Sequence, residues 1–196
     1  MMARTRTSRD DSTAERILDV AERLVQTRGF NGFSYADIAA ELGITTASLH
    51  YHFPAKAALG RALIARYAER FSGALHRIDQ DLADARAKLA AYADLYAGVL
   101  GGKRMCMCGM LAAEYETLPQ PMRSAVIRFF DENRTWLAHV LSEGLQDKTL
   151  TFASPEEEVA QGILSTLEGA MLVAGPYGDM APFKSTVRVL LANLSS

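Results

Sequence analysis

The sequence predicts an all-α protein, and two observations predict it. Ala, Leu, Glu, Arg and Met are plentiful, whereas Val-Ile-Thr alternation is nearly absent. Apolar residues recur three to four positions apart along most of the chain, and Gly or Pro stands where that recurrence breaks. With 196 residues the chain can bury a real core but is short for two independent domains. The expected layout is a flexible basic arm over 1–11, a helix-turn-helix headpiece over 12–54 and a larger helical domain over 55–196.

Taken in order, the first element is a long helix. Ser12 is its expected cap, and Ile17, Leu18, Ala21, Leu24 and Val25 give it one apolar face. Gly29 ends it, and Phe30 and Phe33 plug a small three-helix core. Ahead of it, Arg4, Arg6 and Arg9 form either an arm that could follow phosphates or enter a minor groove, or a disordered terminus with incidental charge.

The stretch FSYADIAAELGITTASLHYHFPAK, residues 33–56, organises the headpiece. Ser34 caps a short helix with Ile38, Ala39 and Leu42 on one face, and Gly43 breaks it. Thr45 caps a second short helix, which Pro54 stops. Two short helices joined by a turn containing Gly have the pattern of a helix-turn-helix. The second helix buries little beyond Leu49 and Phe53 and turns Thr45, Thr46, Ser48, His50 and Tyr51 outward, groups suited to base edges and phosphates.

Gly43-Ile44-Thr45, followed by Leu49-His50-Tyr51-His52-Phe53 and Lys56, resembles the signature of the TetR family of bacterial transcriptional regulators. The strong resemblance covers roughly residues 12 to 62, and His50 stands where the family usually has Tyr. It implies that Thr45, Thr46, Ala47, Ser48, His50 and Tyr51 face DNA, with Ser34, His52 and Lys56 positioning the backbone. It also implies a helical second domain that encloses a small-molecule pocket and forms a homodimer.

A fourth helix from Ala55 to about His76 carries Leu59, Leu63, Ile64, Tyr67, Phe71 and Leu75, and could connect headpiece to body. Leu82 to Leu100 is a further amphipathic helix, and Gly101-Gly102-Lys103-Arg104 is a loop. A short helix around Leu111 to Thr117 and a long one from Met122 to Gln146 follow. Phe71, Tyr96, Met107, Cys108, Met110, Leu111, Phe129, Phe130, Trp136 and Met171 are the expected pocket; an apolar core explains the same side chains equally, and His139 is either a polar handle in the pocket or, the preferred reading, a core or surface histidine. Ser154-Pro155 followed by three glutamates starts the next helix, with Ser154 as cap, and a last one spans about Pro182 to Leu194. Val159, Ile163, Leu167, Ala170, Phe183, Val187 and Leu190 are the expected dimer interface, and Gly162 and Gly169 permit close approach.

The net charge of −2 gives no global attraction to nucleic acid, so a DNA surface must be a local patch. No apolar run approaches a membrane span or the core of a signal peptide, and a cytoplasmic location is expected. Cys106 and Cys108 are the only cysteines, which excludes a disulfide framework. They fill a pocket wall or, if Lys103 and Arg104 lower their pKa, sense oxidants or electrophiles. A cysteine-dependent enzyme lacks a recognisable base or oxyanion element, and neither a cofactor loop nor a metal ligand set is legible. The expected partners are therefore an operator in double-stranded DNA, a partly apolar small-molecule effector and a second copy of the chain, with no membrane.

Overall fold

The computed structural model describes the backbone of residues 4–194 and the side chains of 12–194. Helix α1 spans Arg4–Arg28, so it extends beyond the expected Ser12 cap through part of the basic stretch. The side chains of Arg4, Arg6 and Arg9 lie outside the described residues. The headpiece adds α2 (Tyr35–Leu42) and α3 (Thr46–His52). The body comprises α4 (Lys56–Asp81), α5 (Ala85–Gly101), α6 (Met107–Ala113), α7 (Gln120–Gln146), α8 (Glu156–Ala174) and α9 (Ala181–Ala192). No strand occurs among the described residues.

Local chemistry sets the boundaries of α2 and α3 as expected. Ser34 and Asp37 form a reciprocal capping box, so two otherwise orphaned amides at the start of α2 are satisfied. Gly43 closes α2 at φ 65°, a left-handed conformation that a Cβ would penalise. The Thr45 side chain accepts from Ser48 N and so starts α3. Ile17, Leu24, Val25, Phe30, Phe33, Ile38 and Leu49 close a common core that leaves the other side of α3 facing out.

Elsewhere some boundaries differ from expectation. The short helix precedes its expected position, with α6 ending at Ala113 and only a 3-10 turn over Tyr115–Thr117. Ser154 does not cap α8: Pro155 takes the cap position, and the three glutamates supply the negative charge of the first turn.

In the body, α7 packs on α4, α5 and α8, while α8 also packs on α9. Their shared core holds Tyr92, Tyr96, Met107, Phe129, Leu137, Leu167 and Met171. Helix α4 serves both units, because Leu59 and Leu63 are buried at its headpiece end and Leu75 and Ile78 at its body end.

Candidate nucleic-acid interface and effector cleft

The outer face of α3 presents Thr45, Thr46, Ala47, His50 and Tyr51 to solvent, with Tyr51 72% exposed. Ser48 and His52 are half-buried. A fully buried Leu49 anchors the helix from behind. Ser34 is exposed, but its hydroxyl is engaged with Asp37 at 2.6 Å, which suits positioning rather than base reading. His50 is held from two sides: its ring lies 4.8 Å from that of Tyr35, and its Nδ1 is 3.3 Å from the carbonyl of Pro54. That carbonyl can only accept, so Nδ1 carries the proton and Nε2 is left for an outside partner. Tyr35, which donates its own hydroxyl to Phe53 O at 2.7 Å, is thus a supporting residue that sequence reasoning missed.

Lys56 stands differently from expectation. Its ammonium donates to the carbonyls of Phe30 and Phe33 and lies 4.8 and 4.3 Å over their rings. Desolvation there pulls its pKa below the usual lysine value. The side chain therefore ties the α1–α2 loop to α4, and any phosphate contact would fall to its remaining N–H.

The same loop is fastened from the body. Glu114, just after α6, accepts from Phe30 N at 2.5 Å and Asn31 N at 3.2 Å, while Asn31 Nδ2 donates to Thr117 Oγ1 at 2.7 Å. On the other side of the headpiece, Arg66 of α4 pairs with Glu15 at 3.0 Å, Asp19 at 2.8 Å and Glu22 at 2.9 Å, and Arg70 also pairs with Glu22. Helix α1 is consequently bound to α4 by a network rather than by isolated ion pairs.

The ten expected pocket residues divide. Phe71, Phe129 and Trp136 line a cleft of about 290 Å³ between α4 and α7, together with His76, Asp79, Glu132 and Asn133. Phe130 lines a separate 270 Å³ cleft between α7 and α8. Tyr96, Met107, Cys108, Leu111 and Met171 lie fully in the core, and Met110 packs beside them half-buried. His139 is no handle in a pocket, because it stands exposed and pairs with Glu143 at 3.3 Å. A cavity of about 580 Å³ opens where α1 meets the α5–α6 loop and the α8–α9 turn, a place the sequence did not indicate.

Glu168 was also missed. Its carboxyl reaches from α8 into the core, where Cys106 and Tyr96 hydrogen-bond to it, while its Oε1 is buried without a partner. Burial raises its pKa to about 7, against the lowering effect of those two bonds. Both cysteines are buried, and burial followed by neighbouring negative charge pushes their pKa values well up. Lys103 and Arg104 are exposed and do not stabilise the thiolates. The alternative in which these cations activate the cysteines is therefore not realised, and both thiols serve as apolar filling of the core.

On the dimer face, Ile163, Leu167 and Phe183 are spent inside the protomer. Val159, Ala170, Val187 and Leu190 are half-buried. Leu172, Val173, Tyr177 and Val189 are instead the exposed large apolar residues on and between α8 and α9. Gly162 and Gly169 have open space where a Cβ would stand.

A capped helix-turn-helix with an outward polar helix, coupled by α4 to a helical body, defines a DNA-binding transcriptional regulator. The chain belongs to the TetR family: residues 17–63 match the bacterial regulatory proteins of that family, and residues 85–190 match the tetracyclin repressor-like C-terminal domain. A TetR-family regulator from Agrobacterium tumefaciens superposes with a TM-score of 0.92 at 31% identity, covering 95% of this chain and 100% of that one. The HTH-type transcriptional repressor NemR of Escherichia coli K12 is 26% identical over 185 residues, 91% of this chain and 92% of NemR. The nucleoid occlusion factor SlmA of Photobacterium profundum is 28% identical over 156 residues, 78% of each chain. Among the described residues, no helix is long and apolar enough to cross a membrane.

Proposed function

We propose that this regulator is a cytoplasmic, dimeric repressor that a small, partly apolar ligand releases from a near-palindromic operator. The observation that carries the DNA-reading half is the outward face of α3, where Thr46, His50 and Tyr51 stand clear of the core and Leu49 fixes the helix behind them. A two-fold dimer would set two such helices into successive major grooves, with half-sites about 34–36 Å apart or a multiple of that. The dimer would form across the exposed side of α8 and α9, where Gly162 and Gly169 allow close approach and Val173 and Val189 supply apolar area.

Release would act through α4, which carries six of the residues lining the α4–α7 cleft and begins directly after the recognition helix. A ligand that fits the cleft better in the spacing that mismatches DNA shifts the population towards it. The alternative of thiol sensing, or of a cysteine-dependent enzyme, has less support, since Cys106 and Cys108 are buried and held protonated.

Selection of bound duplexes from a random DNA pool at two salt concentrations tests the reading. An enriched palindrome that persists at higher salt is expected. Binding without enrichment, or binding that salt abolishes, would overturn it.

A further inference from the structure

We infer that the α4–α7 cleft takes an organic cation, a quaternary or protonated ammonium attached to an apolar body. The inference rests on the reading of this cleft as the effector site and adds the chemical class of the effector.

Three rings form the walls: Phe71 from α4, and Phe129 and Trp136 from α7. They are already oriented by their neighbours. Trp136 stacks on Tyr92 with centroids 5.5 Å apart and planes at 22°, and Phe71 meets Phe129 edge to face at 5.3 Å. The indole N–H donates to Asp79 Oδ2 at 2.8 Å, which fixes the ring and places a carboxylate beside it. Tyr92 covers one face of Trp136 and Phe129 is 2% exposed, so the attraction of a cation to the negative potential above a ring falls to Phe71 and the other face of Trp136.

The charges select the same ligand. The lining includes two carboxylates, Asp79 and Glu132, one imidazole, His76, whose Nε2 is engaged by Gln80 at 3.0 Å, and neither Lys nor Arg. Behind it, Asp79 and Glu143 share one ammonium, that of Lys88, at 3.3 and 2.8 Å, so with His139 neutral beside Glu143 the pair leaves a net negative charge. Glu132 stands exposed on the lining and adds another; no ion pair engages it among the described residues. An anion would be repelled. A neutral polar ligand would gain little from the deep wall, because Asn133 already donates to Phe129 O and accepts from Tyr92. The volume of about 290 Å³ suits a trimethylammonium group with a ring-sized body.

Trp136 is the only tryptophan of the chain, so its fluorescence reports on this cleft alone. The full-length protein is titrated with benzyltrimethylammonium, with benzyl alcohol, which keeps the ring and lacks the charge, and with phenylacetate, which reverses it. Saturable quenching by the cation alone is expected, with E132Q weakening it by roughly three- to tenfold and E132K abolishing it. Equal responses to all three probes, no saturable response to the cation, or cation binding undiminished in E132K would overturn the inference. Glu132 is exposed, so both variants should fold, and helicity by circular dichroism checks that they do. Operator release is measured separately: quenching without release retains the cation site and rejects the effector reading, whereas release by a non-cation that displaces nothing from the cleft does the reverse.

Discussion

The carboxylate of Glu114 accepts the backbone N–H of Asn31 at 3.2 Å, and also that of Phe30, joining the end of α6 to the loop between α1 and α2. Since Lys56 holds the carbonyls of Phe30 and Phe33, one short loop is gripped by a body carboxylate and by an ammonium at the head of α4. Displacement of α6 or α4 by a ligand would therefore move the headpiece directly.

Replacing Glu114 with Ala leaves two loop amides without that acceptor and should cost about 1–3 kcal/mol in stability by urea unfolding. It should also blunt the response of DNA binding to effector. Unchanged coupling in a folded E114A protein would mean that the signal travels through the Arg66 network instead.

For Lys56→Ala, loss of the loop clamp predicts a fall in headpiece stability of about 1–3 kcal/mol together with weaker binding to all DNA sequences alike. Urea unfolding and DNA titrations in varied salt separate the two roles. An unaltered unfolding midpoint with a flatter salt slope would assign the lysine to a phosphate and not to the loop.

Glu168 makes stability depend on pH in a defined direction. Its folded pKa of about 7 exceeds the ordinary 4.5, so the folded state binds more protons between those values. Stability is full below pH 4.5, falls as pH rises, and levels above 7, with a total loss of roughly 3 kcal/mol from this group. Urea midpoints for wild type and E168Q should diverge in slope across that window. Parallel curves would place the carboxylate in a wetter site than the structure describes.

Gly109→Ala tests the same place sterically, because a Cβ there would lie 2.3 Å from Glu168 Oε2. A cost of about 1–3 kcal/mol is expected in wild type. Glycine's freedom is not the issue, so the cost should shrink when Glu168 is shortened to Ala. A full cost in both backgrounds would point to the backbone of α6.

Gly169→Arg enlarges a face that the protomer leaves open, and the fold should persist. Light scattering should show a monomer, with operator binding lost. A dimer that survives G169R would move the interface away from α8.

How much of this was legible in the sequence differs by element. The α2–turn–α3 unit was readable because its determinants are local: Ser34 and Asp37 lie three residues apart, Gly43 needs only its own backbone, and Thr45 caps the helix it precedes. Periodicity likewise found the long helices of the body. It could not say what each face meets, so Ile163, Leu167 and Phe183 suggested a dimer interface and proved to be core.

The sequence alone determined that the chain is helical, which residues head α2 and α3 and which recognition face is polar, since capping, turn formation and the 3.6-residue period operate within a few positions. Only the tertiary structure decided that Lys56 faces inward, that Glu114 fastens a loop 83 residues away, that Glu168 is buried against Cys106 and that Trp136 joins Phe71 in one cleft. Those outcomes depend on how helices distant in sequence cross, and on the burial and charge that crossing imposes, which no local pattern encodes.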